Sequence, residues 1–362
     1  MIVLLHIMGF LDGIFGKGGN DKFLGVDIGS SSIKVVQLSK QKGVVTLDTF
    51  GEISLSPYGG KEIGQSVKLE VPKMAEALKD LLKEAQCDAT SAGLAIPLKS
   101  SLVFNMKMPI VDESQLDEMV RLEARRYIPV PISEVSLDWS VIPTEEDPEA
   151  KAATLSVLVV AIHKETLNKY KEIAVKAGLD LQFMEIETFS TIRSVVKHDN
   201  NSVLILDIGA SATKLYIVEY GIIQKSHIIG VGSQNMIRSL ETRKRLSNIK
   251  GDLNATNGVA LSESMKKSAT TPVDLDRILN ETNKIIFDYQ KSHQKNIEEV
   301  ILTGGGSILK GIMPHVKNTL EAEIIAAHPF EKAKTPAFLE ETLKDAGPEF
   351  SVSIGLALRG LG

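Results

Sequence analysis

The sequence predicts an α/β protein made of two related halves, with a small α/β unit inside the first. Three observations predict it. One hairpin pattern occurs twice, 180 residues apart; short apolar strands alternate with helical stripes; and a late apolar strand runs straight into three glycines.

The repeat is the strongest of these. Residues 23–38 read FLGVDIGSSSIKVVQL and residues 203–218 read VLILDIGASATKLYIV. Aligned without a gap, they share Leu24/Leu204, Asp27/Asp207, Ile28/Ile208, Gly29/Gly209, Ser31/Ser211 and Lys34/Lys214. Each copy is an apolar strand, an Asp-x-Gly turn with small polar residues, and a second apolar strand, which is the pattern of a β-hairpin. Gly29 and Gly209 give the turn its backbone freedom.

The elements follow in order. Residues 71–85 carry apolar side chains at 71, 74, 75, 78, 81, 82 and 85, one face of a helix. Residues 91–96 form a short strand. Residues 112–127 form a second helix, with Asp112 and Gln115 at capping-box spacing and Leu116, Met119, Val120 and Tyr127 as its apolar stripe. Pro129 and Pro131 end it. A strand near 137–142, an acidic loop at 144–150, a strand at 154–162 and a helix at 164–177 come next. Residues 100–178 therefore suffice for a small α/β domain of their own. The stretch 240–271 is polar and weakly periodic; a helix at 274–291, a strand at 300–303 and Gly304, Gly305 and Gly306 follow.

Composition removes several classes of function. At roughly 100–200 residues per domain, 362 residues imply two or three domains. With 41 Lys+Arg against 46 Asp+Glu the net charge is −5, the wrong sign for neutralising nucleic-acid phosphates, so no nucleic-acid partner is expected. A single cysteine, Cys87, excludes a disulfide framework and a cysteine zinc cage, and reads as a small residue at a helix end. The longest apolar run outside the N-terminus, residues 155–162, is far short of the ~20 residues that span a bilayer. The opening, MIVLLHIMGFLDGIFGK, lacks a basic region and a cleavage site. Residues 1–21 are expected to be a flexible segment, with Met8 as an alternative start and Phe10, Leu11, Ile14 and Phe15 as an apolar face for a membrane or partner. The expected location is the cytoplasm.

Each Asp-x-Gly turn sets a carboxylate beside a run of backbone N–H groups, a nest suited to phosphate oxygens. Ser30, Ser31 and Ser32 add hydroxyls, and Lys34 adds a charge. A carboxylate repels bare phosphate but accepts it through hydrated Mg²⁺, which keeps its waters and takes one or two carboxylates. Two such hairpins facing each other would grip a polyphosphate and its metal from both sides, with Gly304–Gly306 letting backbone approach a nucleotide. A lone Asp-x-Gly turn is an ordinary turn, and a strand lysine such as Lys34 or Lys214 is ordinarily solvated; it is the combination in this order that carries weight. Gly9–Lys17 has the wrong spacing for a P-loop, and no G-x-S-x-G or H-E-x-x-H occurs. The seven histidines show no ligand spacing.

The hairpin at Asp27, the hairpin at Asp207 and the glycines at 304–306 resemble the phosphate-1, phosphate-2 and adenosine motifs of the actin/Hsp70/sugar-kinase superfamily. Within it the chain resembles the PilM family, cytoplasmic actin-like proteins of type IV pilus assembly. The resemblance rests on GVDIGSSSIKVVQL (25–38), EARRYIPVPISEVSLDWSVI (123–142), LDIGASATKLYIV (206–218), VILTGGGSILKGI (300–312) and SVSIGLALRGLG (351–362), and spans residues 22–362. The second and last are the most particular to that family.

The resemblance implies an α/β, actin-like fold of two RNase H-like lobes, with the extra small subdomain of the cell-division protein FtsA. Residues 22–99 with 179–202 would form the first lobe and residues 100–178 the small subdomain. Residues 203–362 would form the second lobe, with 236–298 as its smaller part. The implied ligands are ATP and Mg²⁺. Gly29, Ser30, Ser31, Ser32 and Lys34 would hold phosphates from one lobe and Gly209, Ala210 and Ser211 from the other. Asp27 and Asp207 would face the waters of the metal, and Gly304, Gly305 and Gly306 the adenosine. Glu185 and Glu187 lie where relatives place the water-activating acid, and serve either that role or as solvated positions at a strand end. The stretch 238–250, with Glu241, Arg243, Lys244 and Lys250, departs from the Glu-rich helix that covers the base in relatives. The implied partner is the N-terminal cytoplasmic tail of PilN, docked beside the small subdomain, with other inner-membrane pilus components reached through it. The function expected is a nucleotide-responsive scaffold with slow or no hydrolysis. A small-molecule kinase of the same fold, and an FtsA-like self-associating filament protein, are the alternatives.

Overall fold

A computed structural model of the chain describes residues 21–61, 65–142, 154–197, 202–236 and 273–362. The expected N-terminal segment (all but Asp21), the acidic loop at 144–150 and the departing stretch at 238–250 lie outside the described residues.

The first half opens with β1 (Lys22–Ile28), β2 (Ser32–Gln41), β3 (Val44–Ser54), α1 (Val71–Glu84) and β4 (Ser91–Ile96). Next come β5 (Ser101–Pro109), α2 (Glu113–Ala124), β6 (Val135–Ile142), β7 (Thr154–His163), α3 (Lys164–Ala177), β8 (Asp180–Ile186) and α4 (Glu187–Val195). The second half holds β9 (Val203–Ile208), β10 (Thr213–Glu219), β11 (Ile222–Ile229), α5 (Val273–His293), β12 (Glu299–Thr303), α6 (Ile312–Thr319) and β13 (Glu323–Ala326). Helices α7 (Glu340–Ala346) and α8 (Ser351–Gly360) follow.

The sequence repeat is matched by a repeat of topology. The first sheet runs β3-β2-β1-β4-β8 and the second β11-β10-β9-β12-β13. In each, a three-stranded antiparallel meander is extended by two parallel strands. Both hairpins have the same register, with Asp27 opposite Lys34 and Asp207 opposite Lys214. Strands β1 and β9 lie centrally and are covered on both faces, so their apolar runs are nearly continuous rather than alternating.

Strands β5, β7 and β6 form a separate antiparallel sheet with its own core around Met106, Met108, Val120, Leu137, Val157 and Val159. Helix α2 belongs to it. Asp112 sits at the exposed N-cap of α2 but makes no side-chain capping bond, contrary to the expected capping box. Of the expected stripe, Val120 is buried, while Tyr127 is half exposed and stacks on Phe104 at 4.9 Å.

Two boundaries differ from the sequence reading. Helix α3, expected in the small subdomain, buries Leu167, Tyr170, Ile173 and Ala174 in the core of the first lobe against α1 and β8. The C-terminal segment, expected in the second lobe, returns to the first. Lys334 pairs with β3, and α8 packs on β1, β2, β4 and α4, burying Val352, Ile354, Leu356 and Ala357 with Phe23, Val36 and Leu38. Close approach permits this. A Cβ at Gly25 would collide with the Ser353 carbonyl, and one at Gly355 with the Ser190 carbonyl. Bulkier residues would hold α8 away from both surfaces.

Candidate functional site

The two Asp-x-Gly turns have the same backbone. Gly29 N–H donates to Ser32 O at 2.9 Å, and Gly209 N–H to Ala212 O at 3.0 Å. Each turn is more exposed than the buried strands that flank it: Gly29, Ser30 and Ser31, and likewise Gly209, Ala210 and Ser211, reach solvent. The first turn is tied to its lobe by Leu55 N–H and Val67 N–H donating to the carbonyls of Ser31 and Ser30. In the second, the carbonyls of Gly209 and Ala210 accept from Ser233 and Gln234 N–H, the start of a helix. Gln234 Oε1 in turn accepts from Ser66 N–H of the first lobe at 3.0 Å, linking the two turns.

The lysines differ. Lys34 Nζ donates to Ser32 Oγ (2.9 Å) and to Glu52 Oε1 (2.7 Å), and lies 3.6 Å from Glu349. Lys214 Nζ lies 2.8 Å from its cross-strand neighbour Asp207 and 2.6 Å from Glu187. Burial opposes the charge of Lys214, but Asp207 and Glu187 outweigh it and raise its pKa well above the ordinary value. Asp27 is in the reverse condition. Burial lifts its pKa to about 6, and Glu187 and Asp207 add to the rise against the pull of Lys34 and Lys214. Five carboxylates thus surround two lysines, leaving an excess of negative charge. The residues fit a hydrated divalent cation: Asp27 and Asp207 are hard oxygen donors in a field that a cation would relieve. Among the described residues no group of three or more His, Cys, Asp or Glu is arranged to cage a metal directly.

Gly304, Gly305 and Gly306 lie beside the second turn. Gly304 has φ 84° and Gly306 N–H donates to Ile208 O at 2.7 Å. A Cβ at Gly304 would collide with Asp207 Oδ1, and one at Gly306 with the Ile208 side chain. These two glycines thus serve close packing of β12's exit loop on the Asp207 hairpin, whatever they do toward a ligand. A side chain at Gly305 would meet Glu349 at 3.3 Å. Thr303 Oγ1 and Gly304 N–H both donate to Pro348 O (each 2.9 Å), so the segment leading into α8 is seated on the loop.

Neither glutamate beside the second hairpin is a solvated strand end. Glu185 ends β8 fully buried and accepts from Arg193, Arg359 and Ser190. Burial opposes its charge, but the two guanidiniums hold its pKa at about 2. Glu187 opens α4 and points elsewhere: its Oε1 accepts from Leu98 N–H at 2.7 Å and its Oε2 pairs with Lys214. Cys87 is half-buried, and burial pushes its thiol up to about 11, in keeping with an inert position.

Sequence reasoning missed Glu52, Glu349 and Gly232. Glu52 had a signal, since the register places Asp27, Lys34 and Glu52 side by side across three strands. Glu349 had none, because it arrives from a segment expected in the other lobe. At Gly232 a Cβ would collide with the Ala210 carbonyl.

Comparison with known proteins agrees with this architecture. A solved PilM-PilN type IV pilus biogenesis complex superposes with a TM-score of 0.77 at 23% identity, covering 95% of this chain and 100% of that one. The ethanolamine utilization protein EutJ from Carboxydothermus hydrogenoformans gives 0.52 at 14% identity over 96% and 93% of the two chains. MamK, solved as a double helical filament, gives 0.51 at 13% identity over 94% and 98%. The fold is actin-like. The family model described as type IV pilus assembly protein PilM matches residues 25–361, and the chain belongs to that family.

Proposed function

We propose that the paired turns bind ATP with Mg²⁺, and that nucleotide occupancy biases the docking of the N-terminal cytoplasmic tail of a PilN partner. The observation that carries this is the pair of partly exposed turns with matching backbone hydrogen bonds, linked through Ser66 and Gln234 and set in an excess of negative charge, which favours phosphates accompanied by a cation over bare phosphates. The partner reading is supported by membership of the family and by the likeness to a PilM-PilN complex.

In this reading Gly29, Ser30, Ser31, Ser32 and Lys34 hold phosphates from the first lobe and Gly209, Ala210 and Ser211 from the second. Asp27 and Asp207 orient the waters of the cation, and Gly304, Gly305 and Gly306 flank the adenosine. Bound Mg²⁺ supplies charge neutralisation. With Glu185 held by two arginines and Glu187 by Lys214, neither glutamate stands free to activate water, which favours a scaffold with slow or no turnover over a kinase. No described helix is long and apolar enough to cross a membrane, so attachment to the inner membrane would run through the partner.

Titrating a PilN-type N-terminal peptide by calorimetry, with and without Mg·ATP, tests the reading. Binding that differs between the two conditions is expected and measures the coupling. Absence of peptide binding in both would overturn the partner assignment. Asp207→Ala is expected to weaken Mg·ATP binding at least tenfold, about 1.4 kcal/mol, with the fold retained. Unchanged affinity would overturn the site.

A further inference from the structure

The ion pair between Glu187 and Lys214 joins the two lobes. Glu187 is the first residue of α4, packed in the first lobe, and Lys214 lies on β10 of the second. Both are largely buried, with side chains 13% and 16% exposed, and they meet at 2.6 Å. Glu187 is fixed from behind by Leu98 N–H, the first residue after Pro97 at the end of β4. Lys214 is held on its own side by Asp207. Lys214 is thus the one group of the second hairpin bearing the charge that a phosphate seeks, and a first-lobe carboxylate occupies it.

We propose that Glu187 is an interlobe clasp that competes with the nucleotide phosphate for Lys214. This rests on the nucleotide reading above and deepens it by assigning a regulator to the site. A carboxylate and a phosphate oxygen make the same charge-assisted bond to an ammonium, so Lys214 exchanges one for the other. The exchange releases the α4 end from β10 and gives occupancy a direct route to the relation between lobes. Glu187 is a positioning residue in this scheme, acting through Lys214.

The test is Glu187→Gln. The amide keeps an acceptor for Leu98 N–H, and Lys214 keeps Asp207, so neither group is left stranded. Mg·ATP affinity by calorimetry is expected to rise about tenfold, because Lys214 is freed and one repelling charge is removed. Lys214→Gln is expected to lower the affinity. Unchanged or lowered affinity in Glu187→Gln would overturn the clasp, as would hydrolysis abolished at unchanged affinity, the signature of a water-activating acid. A second readout needs no nucleotide: amide hydrogen exchange in the free proteins. Residues 187–191 and 209–214 are expected to exchange faster in Glu187→Gln than in the parent, and equal rates would overturn the clasp. If the parent fails to bind Mg·ATP, the nucleotide reading falls, while hydrogen exchange still decides whether the clasp exists.

Discussion

The two hairpins share a turn, a strand register and an Asp–Lys pair, yet the pairs have opposite fates. In the second hairpin Lys214 lies against Asp207 and neutralises it. In the first, Lys34 turns away to Glu52 and Glu349, and Asp27 stands in a field that disfavours its charge. The backbone repeat is set by local sequence. The electrostatic difference is set by neighbours that the repeat does not contain: β3 supplies Glu52, the segment before α8 supplies Glu349, and α4 supplies Glu187. Duplication thus yields two like frames for phosphate, while surrounding carboxylates make one side a cation-seeking group and the other a fixed ion pair.

The largest expected effect comes from removing the lysines. Lys214→Met leaves Asp207 and Glu187 buried without their cation and is expected to cost about 3–5 kcal/mol in urea unfolding. Lys34→Met strands Glu52, which is 38% exposed, and Glu349, and is expected to cost about 1–2 kcal/mol. Equal losses would break the comparison.

A smaller effect of opposite sign is expected at the carboxylates. In metal-free protein at pH 7, Asp27→Asn removes an unfavourable charge and is expected to stabilise by about 1–2 kcal/mol. Asp207→Asn is expected to destabilise, and thermal unfolding of the two variants side by side checks the sign.

The subtlest test is the pH profile of stability without metal. Asp27 binds its proton more tightly when folded, at about 6 against an ordinary 3.8, so stability rises as pH falls from 7 through 6 toward 4. Glu185, held at about 2 against 4.5, contributes stability above 4.5 that is lost as pH falls toward 2. The expected profile climbs from neutral pH and then drops in acid. Asp27→Asn should abolish the climb and leave the drop.

Much of the fold was legible because it is local. The bounds of β4 and α3 match the expected apolar pattern, and the hairpins follow from the apolar runs on either side of each Asp-x-Gly turn. What was not legible depends on distant partners. Helix α8 is apolar on all sides, so its periodicity names no face; its destination is set by Gly25 and Gly355, whose role shows only once the surfaces meet. Glu185 and Glu187 are two residues apart, but the chain passes from strand to helix between them, and the two side chains reach different partners. The candidate turns could be read from sequence; the carboxylates that hold their lysines could not.

The return of α8 to the first lobe also orders events during synthesis. Phe23, Val36 and Leu38 emerge early, yet the residues that cover them, Val352 through Ala357, follow roughly three hundred residues later. The second sheet holds all its strands within residues 203–326 and can close while the tail is still being translated. The nascent first lobe therefore carries an uncovered apolar face through most of its translation, a surface for chaperones to shield, and its last step of assembly is the seating of a single glycine-notched helix.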